Sequence, residues 1–398
     1  MNNLSSKFST KDLLFARLYY FAFMGGSGFI NPFLNLFYVS LSFSGKQIGL
    51  IASTGAIVSM IVSPIWVSVV KRHPRAQRIL QIAIVLGATS YYFLGHQTSY
   101  LSVLLVIFLF TLAVSGISPL SDSMAVTISQ ESGKGYGSVR VWASLGWIFS
   151  VLISGQMVAR FGYIAAFIGV AAIWLLAATL VFFIQPRYFT SHDKPDQPRP
   201  NLRLAFQRVR QDKTLIGFAI ALIVIGFLNS GVLQFENVFL AELGASKQLI
   251  SVAGTLSAIV ELPFMIYADR IVQRVGVHRM MMIALAMTSL QRLIVLVLPH
   301  IATIMIIRFI GGVAFSFYTI SFVGLISSRT HSSETGTVLA LYSVTIAGMV
   351  NIFAAPVGGA IFDAVGARWL YAFAAVGYIT AVLILWLTRP KTTAPAQA

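Results

Sequence analysis

Ionisable residues inside otherwise apolar stretches are the ones whose type and spacing could do chemistry in this chain. Asp122 and Arg140 lie equally far from Glu131, the centre of a predicted helical hairpin, so we expect them at similar depth on neighbouring helices. An arginine fork beside a carboxylate can bind hydroxyl, amide or carboxylate groups of a ligand. Trp147 follows two helical turns after Arg140 and could stack on a ring. The spacing favours a ligand-binding set, and the alternative is an ion pair that only locks the hairpin.

A second group of ionisable residues lies in the later part of the chain. Glu236 stands in mid-stretch near Gln234 and Asn237, whereas Glu261 and Arg292 lie in the next two apolar stretches. A carboxylate that moves between an apolar environment and a neighbouring arginine can take up and release a proton. We therefore expect Glu236 and Glu261 to carry protons. The alternative for Glu261 is a static pair with Arg292 that holds two helices together.

Polar residues near these charges complete the predicted ligand site. Gln234 and Asn237 flank Glu236, and Asn31 interrupts the first apolar stretch together with Pro32. Glycines precede Asn31, and we expect them to allow close packing of helices. We therefore assign Asn31, Gln234 and Asn237 to substrate binding.

The composition sets the class of protein that must position these residues. The 398 residues are 57% hydrophobic and 10% charged, whereas soluble domains carry about 25% charged residues. The absence of cysteine excludes disulfides and thiol catalysis, and the six histidines are scattered, so we expect neither a metal site nor a cofactor. The apolar stretches carry no Ser-His-Asp grouping and no phosphate-binding loop. These features predict an all-α membrane protein that is not an enzyme.

The apolar stretches are long enough for twelve membrane-spanning helices, since a bilayer core needs about 20 apolar residues per helix. The predicted spans are 13–39, 47–70, 77–96, 100–128, 137–160, 162–184, 214–242, 248–268, 277–298, 300–327, 336–361 and 368–388.

The spans divide into two halves that resemble each other. A proline-rich polar stretch at 185–213 separates a six-helix bundle at 1–184 from a second at 214–398, and Leu202 to Val209 could form an amphipathic helix within it. Gly45-Lys46-Gln47-Ile48 and Ser246-Lys247-Gln248-Leu249 open corresponding spans. Parallel halves of this kind are typical of transporters, whose substrate site lies between them.

The basic residues predict the orientation of the chain. The net charge of +16 comes from short basic runs between apolar stretches, which is not the pattern of a nucleic-acid-binding face. With both termini inside, 20 of the 28 lysines and arginines fall in cytoplasmic segments. The four in outer loops are Lys46, Arg160, Lys247 and Arg368. This bias predicts a multi-pass protein of the inner membrane with both termini in the cytoplasm.

The segment from Tyr136 to Trp147 resembles the fifth helix of lactose permease and its oligosaccharide–proton symporter relatives, within the major facilitator superfamily. The resemblance implies that Asp122 and Arg140 hold the substrate and that Trp147 stacks on its ring. Gln234-Phe235-Glu236-Asn237 and Phe362-Asp363-Ala364-Val365-Gly366 extend the similarity.

The chain departs from that family where the family couples protons. The histidine and the glutamate of the family's tenth helix fall at Gly311 and Ala314, and an aspartate–lysine pair falls at Asn229 and Ala347. A tenth-helix lysine keeps its charge as Arg308. Lactose is therefore not expected to be handled in the same way. Leu339-Ala340-Leu341-Tyr342 and Glu261-Leu262-Pro263 resemble the branch of the phenylpropionate permease.

A loop between the predicted eighth and ninth spans resembles a signature of the superfamily. Ala268-Asp269-Arg270 is followed by Arg274, Gly276 and Arg279. The resemblance implies that Asp269 and Arg270 gate the cytoplasmic side.

These observations together predict a secondary active transporter. We expect a monomer that imports a small polar solute, such as a sugar, nucleoside or aromatic acid, with a proton by alternating access. The alternative is an efflux pump for drugs or metabolites that exchanges them for protons. The expected partners are the solute, the proton and the lipid bilayer.

Overall fold

The fold is all-α in a computed structural model that describes residues 2–190 and 202–389, and this part of the chain contains no β-strand. The helices of the first half are α1 (Asn2–Ile30), α2 (Leu34–Ser40), α3 (Gly45–Val70), α4 (Ala76–Leu94), α5 (Tyr100–Val114), α6 (Ile117–Glu131), α7 (Gly137–Phe161) and α8 (Ile164–Phe182). They are followed by α9 (Leu202–Gln211), α10 (Lys213–Glu242), α11 (Lys247–Val275), α12 (Val277–Val297), α13 (Ile301–Ser327), α14 (Ser332–Ala340), α15 (Ala347–Val365) and α16 (Ala367–Leu387).

Each predicted span corresponds to one long helix or to two consecutive helices. The first is interrupted between α1 and α2 at Asn31 and Pro32, and the fourth between α5 and α6. In the eleventh, a π-helical turn at Leu341–Ile346 joins α14 to α15. Within the described residues, 10 helical segments are long and apolar enough to cross a membrane, which leaves out α4 and α11. The chain is therefore a multi-pass membrane protein whose helices fit the twelve predicted spans.

The described residues form two compact units. The first comprises 2–43, 50–190 and 245–255, and the second comprises 44–49, 202–244 and 256–389. Each unit takes in the first residues of a helix that otherwise belongs to the other unit. These residues are the repeated starts of α3 and α11.

Contacts at these two helix starts tie each of them to the unit that contains it. The backbone N–H groups of Gly45 and Lys46, at the start of α3, donate to the carboxylate of Asp363 at 2.5 and 2.9 Å. This is the favourable place for a carboxylate, because free N–H groups and the helix dipole meet there. At the start of α11, the Lys247 ammonium lies 4.7 Å from the ring centre of Tyr163.

Glycines allow α1 to pack closely on α7 in the first unit. A methyl group on Gly28 would lie 2.8 Å from the carbonyl oxygen of Trp147, and one on Gly25 would lie 2.8 Å from Oγ of Ser150. A methyl group on Gly146 would overlap the carbonyl of Phe21. The predicted role of the glycines before Asn31 is thus confirmed, since any larger residue would separate the helices.

The second unit has its apolar core near one end of α10. Leu215, Phe218 and Tyr342 are buried there with residues of α12, α13 and α16. The amphipathic helix α9 adds Ala205 and Val209 to the same core. The predicted helix in the polar stretch is therefore present and is fixed to the second unit by its apolar face.

The chain that leaves α8 is fixed to the first unit by polar contacts. The Asp12 carboxylate accepts bonds from the backbone and the side chain of Gln185 at 3.1 and 2.5 Å. Arg187 and Tyr188 both donate to Glu131 at 2.9 Å. Burial, together with the bond to Glu131, raises the pKa of the Tyr188 phenol to about 12.

Candidate functional site

A charged network in the second unit is centred on Glu236 of α10. One carboxylate oxygen lies 2.8 Å from Arg308 of α13, and the other lies 3.4 Å from Arg292 of α12. The Tyr371 hydroxyl donates to the latter oxygen at 3.1 Å, and Arg308 also donates to Asn237 at 2.8 Å. The network thus joins four helices through one carboxylate.

This arrangement corrects the pairing expected from the sequence. Arg292 is bound by Glu236, and within the described part of the chain Glu261 has no basic group within 4 Å. The backbone oxygen of Glu261 accepts a bond from Ser316 at 3.0 Å, which fixes α11 against α13. The alternative for Glu261, a static pair with Arg292, is therefore wrong. The reason is that α10 brings Glu236 between two helices that follow it far along the chain.

A polar cavity of about 520 Å³ surrounds the network. Its lining includes Glu236, Glu261, Arg292 and Arg308, together with Asn229, Thr288 and Gln291. Gly311 and Ala314 also line it. The small residues at these two positions leave space beside the charges where the resembling family has a histidine and a glutamate.

A larger and more apolar cavity of about 750 Å³ lies between α10, α13 and the π-helical turn with α15. Phe315, Tyr318, Phe322 and Tyr342 supply aromatic surface, and Gln234 and Asn351 supply amides. Nε2 of Gln234 donates to the carbonyl of Ala355 at 3.0 Å. Of the two amide residues beside Glu236, Gln234 thus lines this cavity, whereas Asn237 holds Arg308.

Asp122 of the first unit is bound by tyrosines. One carboxylate oxygen accepts bonds from the Tyr20 hydroxyl at 2.7 Å and the Tyr136 hydroxyl at 2.8 Å. Arg140 is exposed, and among the described residues it forms no ion pair with Asp122 within 4 Å. The structure therefore holds Asp122 in a defined position and leaves the guanidinium of Arg140 open.

The remaining predicted residues occupy different places. Trp147 is half-buried on α7, and Asn31 is exposed at the interruption between α1 and α2. Arg270 is exposed near the end of α11, and the side chain of Asp269 lies outside the described residues.

The structure adds residues that sequence reasoning left out of the site. Tyr20 and Tyr136 orient Asp122, and Tyr371 orients Glu236. Arg308 bonds to both Glu236 and Asn237 at 2.8 Å. Arg308 carried a signal, a charge in an apolar stretch, whereas an intramembrane tyrosine does not stand out among 14 tyrosines.

Long apolar helices that enclose charge-lined cavities define a multi-pass membrane protein of the transporter class. The model of the MFS_1 like family matches residues 13–373. The chain therefore belongs to this family of major facilitator transporters.

Relatives over nearly the whole chain carry different functional names. The uncharacterized transporter YwbF of Bacillus subtilis (strain 168) is 26% identical over 89% of this chain and 87% of its own length. The maltose permease of Geobacillus stearothermophilus is 27% identical over 94% of each chain. The multi-drug resistance efflux pump PmrA homolog of Lactococcus lactis subsp. lactis (strain IL1403) is 24% identical over 88% of this chain and 92% of its own.

The fold is also that of a solved transporter. The crystal structure of the nucleoside transporter NupG matches with a TM-score of 0.79 and 18% identity, covering 96% of this chain and 100% of that one. This likeness confirms the major facilitator fold.

Proposed function

We propose that this protein is a proton-coupled symporter that imports a small organic solute across the inner membrane by alternating access. The observation that carries the proposal is the second unit's polar cavity, which holds two carboxylates: Glu236, paired with two arginines, and Glu261, which has no ion-pair partner among the described residues. A transporter coupled to protons needs a carboxylate that can change its protonation state inside the membrane.

The two carboxylates receive different roles from their surroundings. Glu236 pairs with two arginines and ties together four helices, so its charge is needed to hold the network. Glu261 lines the same cavity and forms no ion pair with any residue that the structure describes, and we assign it the role of proton carrier. Arg292 binds Glu236, and its positive charge contributes to the electrostatic field at Glu261.

We assign solute binding in the first unit to Asp122 and Arg140. Tyr20 and Tyr136 fix the Asp122 carboxylate, and the exposed guanidinium of Arg140 has the fork that binds hydroxyls or carboxylates. Trp147 offers a ring face on the same helix as Arg140. Asn31 is assigned to the same function, and Asp269 and Arg270 to gating.

The experiment uses the purified chain in liposomes. A panel of sugars, nucleosides and aromatic acids is tested for counterflow and for accumulation after a pH jump, with a sodium gradient as the control. We expect accumulation in the direction of proton flow, abolished by a protonophore. Accumulation driven only by sodium would contradict the proton coupling.

The alternative is efflux in exchange for protons. The large aromatic cavity and the drug-efflux name of one relative favour it. The same vesicles decide between the two, because an antiporter accumulates its solute against the direction of proton flow.

A further inference from the structure

A third cavity of the second unit, of about 430 Å³, lies at the ends of the helices rather than between their middles. One wall is the connection between α11 and α12, where Gly276 alone separates the two helices and its φ of +88° allows the tight turn. The other wall is the end of α13, with Leu325, Ser328 and Arg329. The volume is within the range of sites that bind small molecules.

Positive charge dominates the lining of this cavity. Arg279 of α12 and Arg329, just after α13, both line it, and none of the described residues that line it is acidic. Arg279 is exposed and forms no ion pair within 4 Å in the described part of the chain. Nη1 of Arg329 lies 3.6 Å from the carboxylate of Asp212. A guanidinium carries several N–H donors, so this one contact leaves others for a further acceptor.

The walls are held in place by bonds that do not use these two guanidinium groups. Nε2 of His278 donates to the carbonyl of Leu385 at 2.9 Å, which ties the start of α12 to the end of α16. Nη2 of Arg208, on α9, donates to the backbone carbonyl of Arg329 at 3.1 Å. Oγ of Ser328 donates to the carbonyl of Leu325 at 2.9 Å. The arginines therefore stand on a fixed frame.

Two guanidinium groups beside one carboxylate leave the cavity with a net positive charge, so it favours an anion. Guanidinium groups bind phosphate oxygens through two parallel N–H bonds, and arginine is the usual residue for this contact. The chemistry of the lining thus points to a phosphate group.

The predicted topology puts this cavity at the level of lipid headgroups. The connections at 269–276 and 328–335 both lie on the cytoplasmic side in that topology. The phosphate groups of the inner leaflet lie just outside the apolar core of the bilayer, where these connections begin. Basic pockets between helices on the cytoplasmic side are the kind of site that binds anionic headgroups.

An apolar stripe leads from the cavity along α12. Ile283, Leu290, Leu293 and Val297 are exposed. Their spacing from Arg279 places all of them on the same face of the helix as that arginine. An acyl chain attached to a phosphate at Arg279 would lie on this stripe, whereas a free phosphate ion would make no use of it.

We propose that this cavity binds an anionic phospholipid of the inner leaflet, with its phosphodiester on Arg279 and Arg329 and one acyl chain along the exposed stripe of α12. The inference goes beyond the proposed symport and does not rest on it, because the site lies outside both cavities assigned to transport. It holds equally for an importer and for an efflux pump.

The first test compares lipids on the purified full-length chain in detergent. Dioleoyl phosphatidylglycerol, dioleoyl phosphatidylcholine and inorganic phosphate are added, and binding is followed by native mass spectrometry and by thermal shift. We expect phosphatidylglycerol to bind at least about tenfold more tightly than phosphatidylcholine, whose choline cancels the phosphate charge. Equal binding of the two lipids would overturn the anionic site. Equal stabilisation by inorganic phosphate would overturn the lipid.

Arg279→Gln tests the charge. Arg274→Gln is the matched control, since Arg274 is exposed in the last turn of α11, belongs to the same connection and does not line the cavity. We expect Arg279→Gln to weaken binding of phosphatidylglycerol about fivefold relative to Arg274→Gln, with equal melting temperatures in the absence of lipid. An equal loss in both variants would mean that the lipid responds to surface charge in general, which contradicts a site in the cavity.

Ser328→Trp tests the cavity while keeping both arginines. The indole would occupy the space of the headgroup. Ser327→Trp is its control, because Ser327 is the exposed last residue of α13 and does not line the cavity. We expect Ser328→Trp to lose binding of phosphatidylglycerol at least about tenfold relative to Ser327→Trp. Equal affinities of the two variants would overturn the placement of the phosphodiester.

Discussion

At the scale of single residues, Glu236 and Glu261 differ in their partners although both line one cavity. Glu236 bonds to two arginines and a tyrosine, whereas Glu261 has neither within the described residues. Removing one member of a buried charge pair leaves the other uncompensated, which costs about 3–5 kcal/mol. Removing an unpaired carboxylate carries no such cost.

The first prediction follows from this difference. Glu236→Gln should lower thermal stability and membrane levels, because Arg292 and Arg308 then share a neutral amide. Glu261→Gln should fold normally, keep counterflow and lose accumulation driven by a pH jump. The measurements are melting of the purified variants and the two vesicle assays. A Glu261→Gln variant that still accumulates solute under a proton gradient would move the carrier elsewhere.

The second prediction concerns the charged residues of the first unit. Asp122→Asn and Arg140→Lys should each abolish uptake with membrane levels near normal. Asparagine lacks the charge of the carboxylate, and an ammonium cannot reproduce the guanidinium fork. Arg160→Lys, an exposed arginine at the end of the same helix, is the control and should retain uptake. Normal transport by Arg140→Lys would exclude a bidentate role.

At the scale of elements, the packing of α1 on α7 depends on positions where no side chain fits. Gly146 lies against the backbone of Phe21, and Gly28 against that of Trp147. On the same helix α1, the Tyr20 hydroxyl donates to Asp122 of α6. Helix α1 therefore contacts both α7 and a candidate binding residue.

The third prediction tests this contact. Gly146→Ala should destabilise the protein by about 1–3 kcal/mol, because the added methyl group must push two backbones apart. Gly137→Ala is the control at the start of α7, where a methyl group meets nothing within 4 Å. Thermal melting and uptake are measured for both. Equal melting temperatures would show that α1 and α7 are not closely packed in the membrane.

At the scale of the whole molecule, the distribution of basic residues predicts how the chain lies in the bilayer. The fourth prediction is that Asn2, the linker at 186–213 and Ala398 are all cytoplasmic. The reason is that lysines and arginines concentrate in the segments that this topology places in the cytoplasm. Reporter fusions at the three points should all report the cytoplasmic side. An outside signal from the linker would exclude six spans in the first half.

The sequence alone determined the helices, because the length of apolar stretches and the placement of polar breaks are local properties. Asn31 with Pro32 marked a real interruption, and the amphipathic pattern from Leu202 to Val209 marked α9. The sequence also indicated which charged residues to examine, since an ionisable group in an apolar stretch is costly wherever it lies.

Only the tertiary structure decided which charges meet. Arg292 and Arg308 follow Glu236 by 56 and 72 residues, and their pairing depends on the rotation and depth of separate helices. Neither quantity is encoded in spacing along the chain, so Glu261 was as plausible a partner for Arg292 as Glu236. The same holds for Asp122, whose partners are Tyr20 of α1 and Tyr136 at the start of α7. Side-chain pairing between helices is fixed by packing, which no single helix determines.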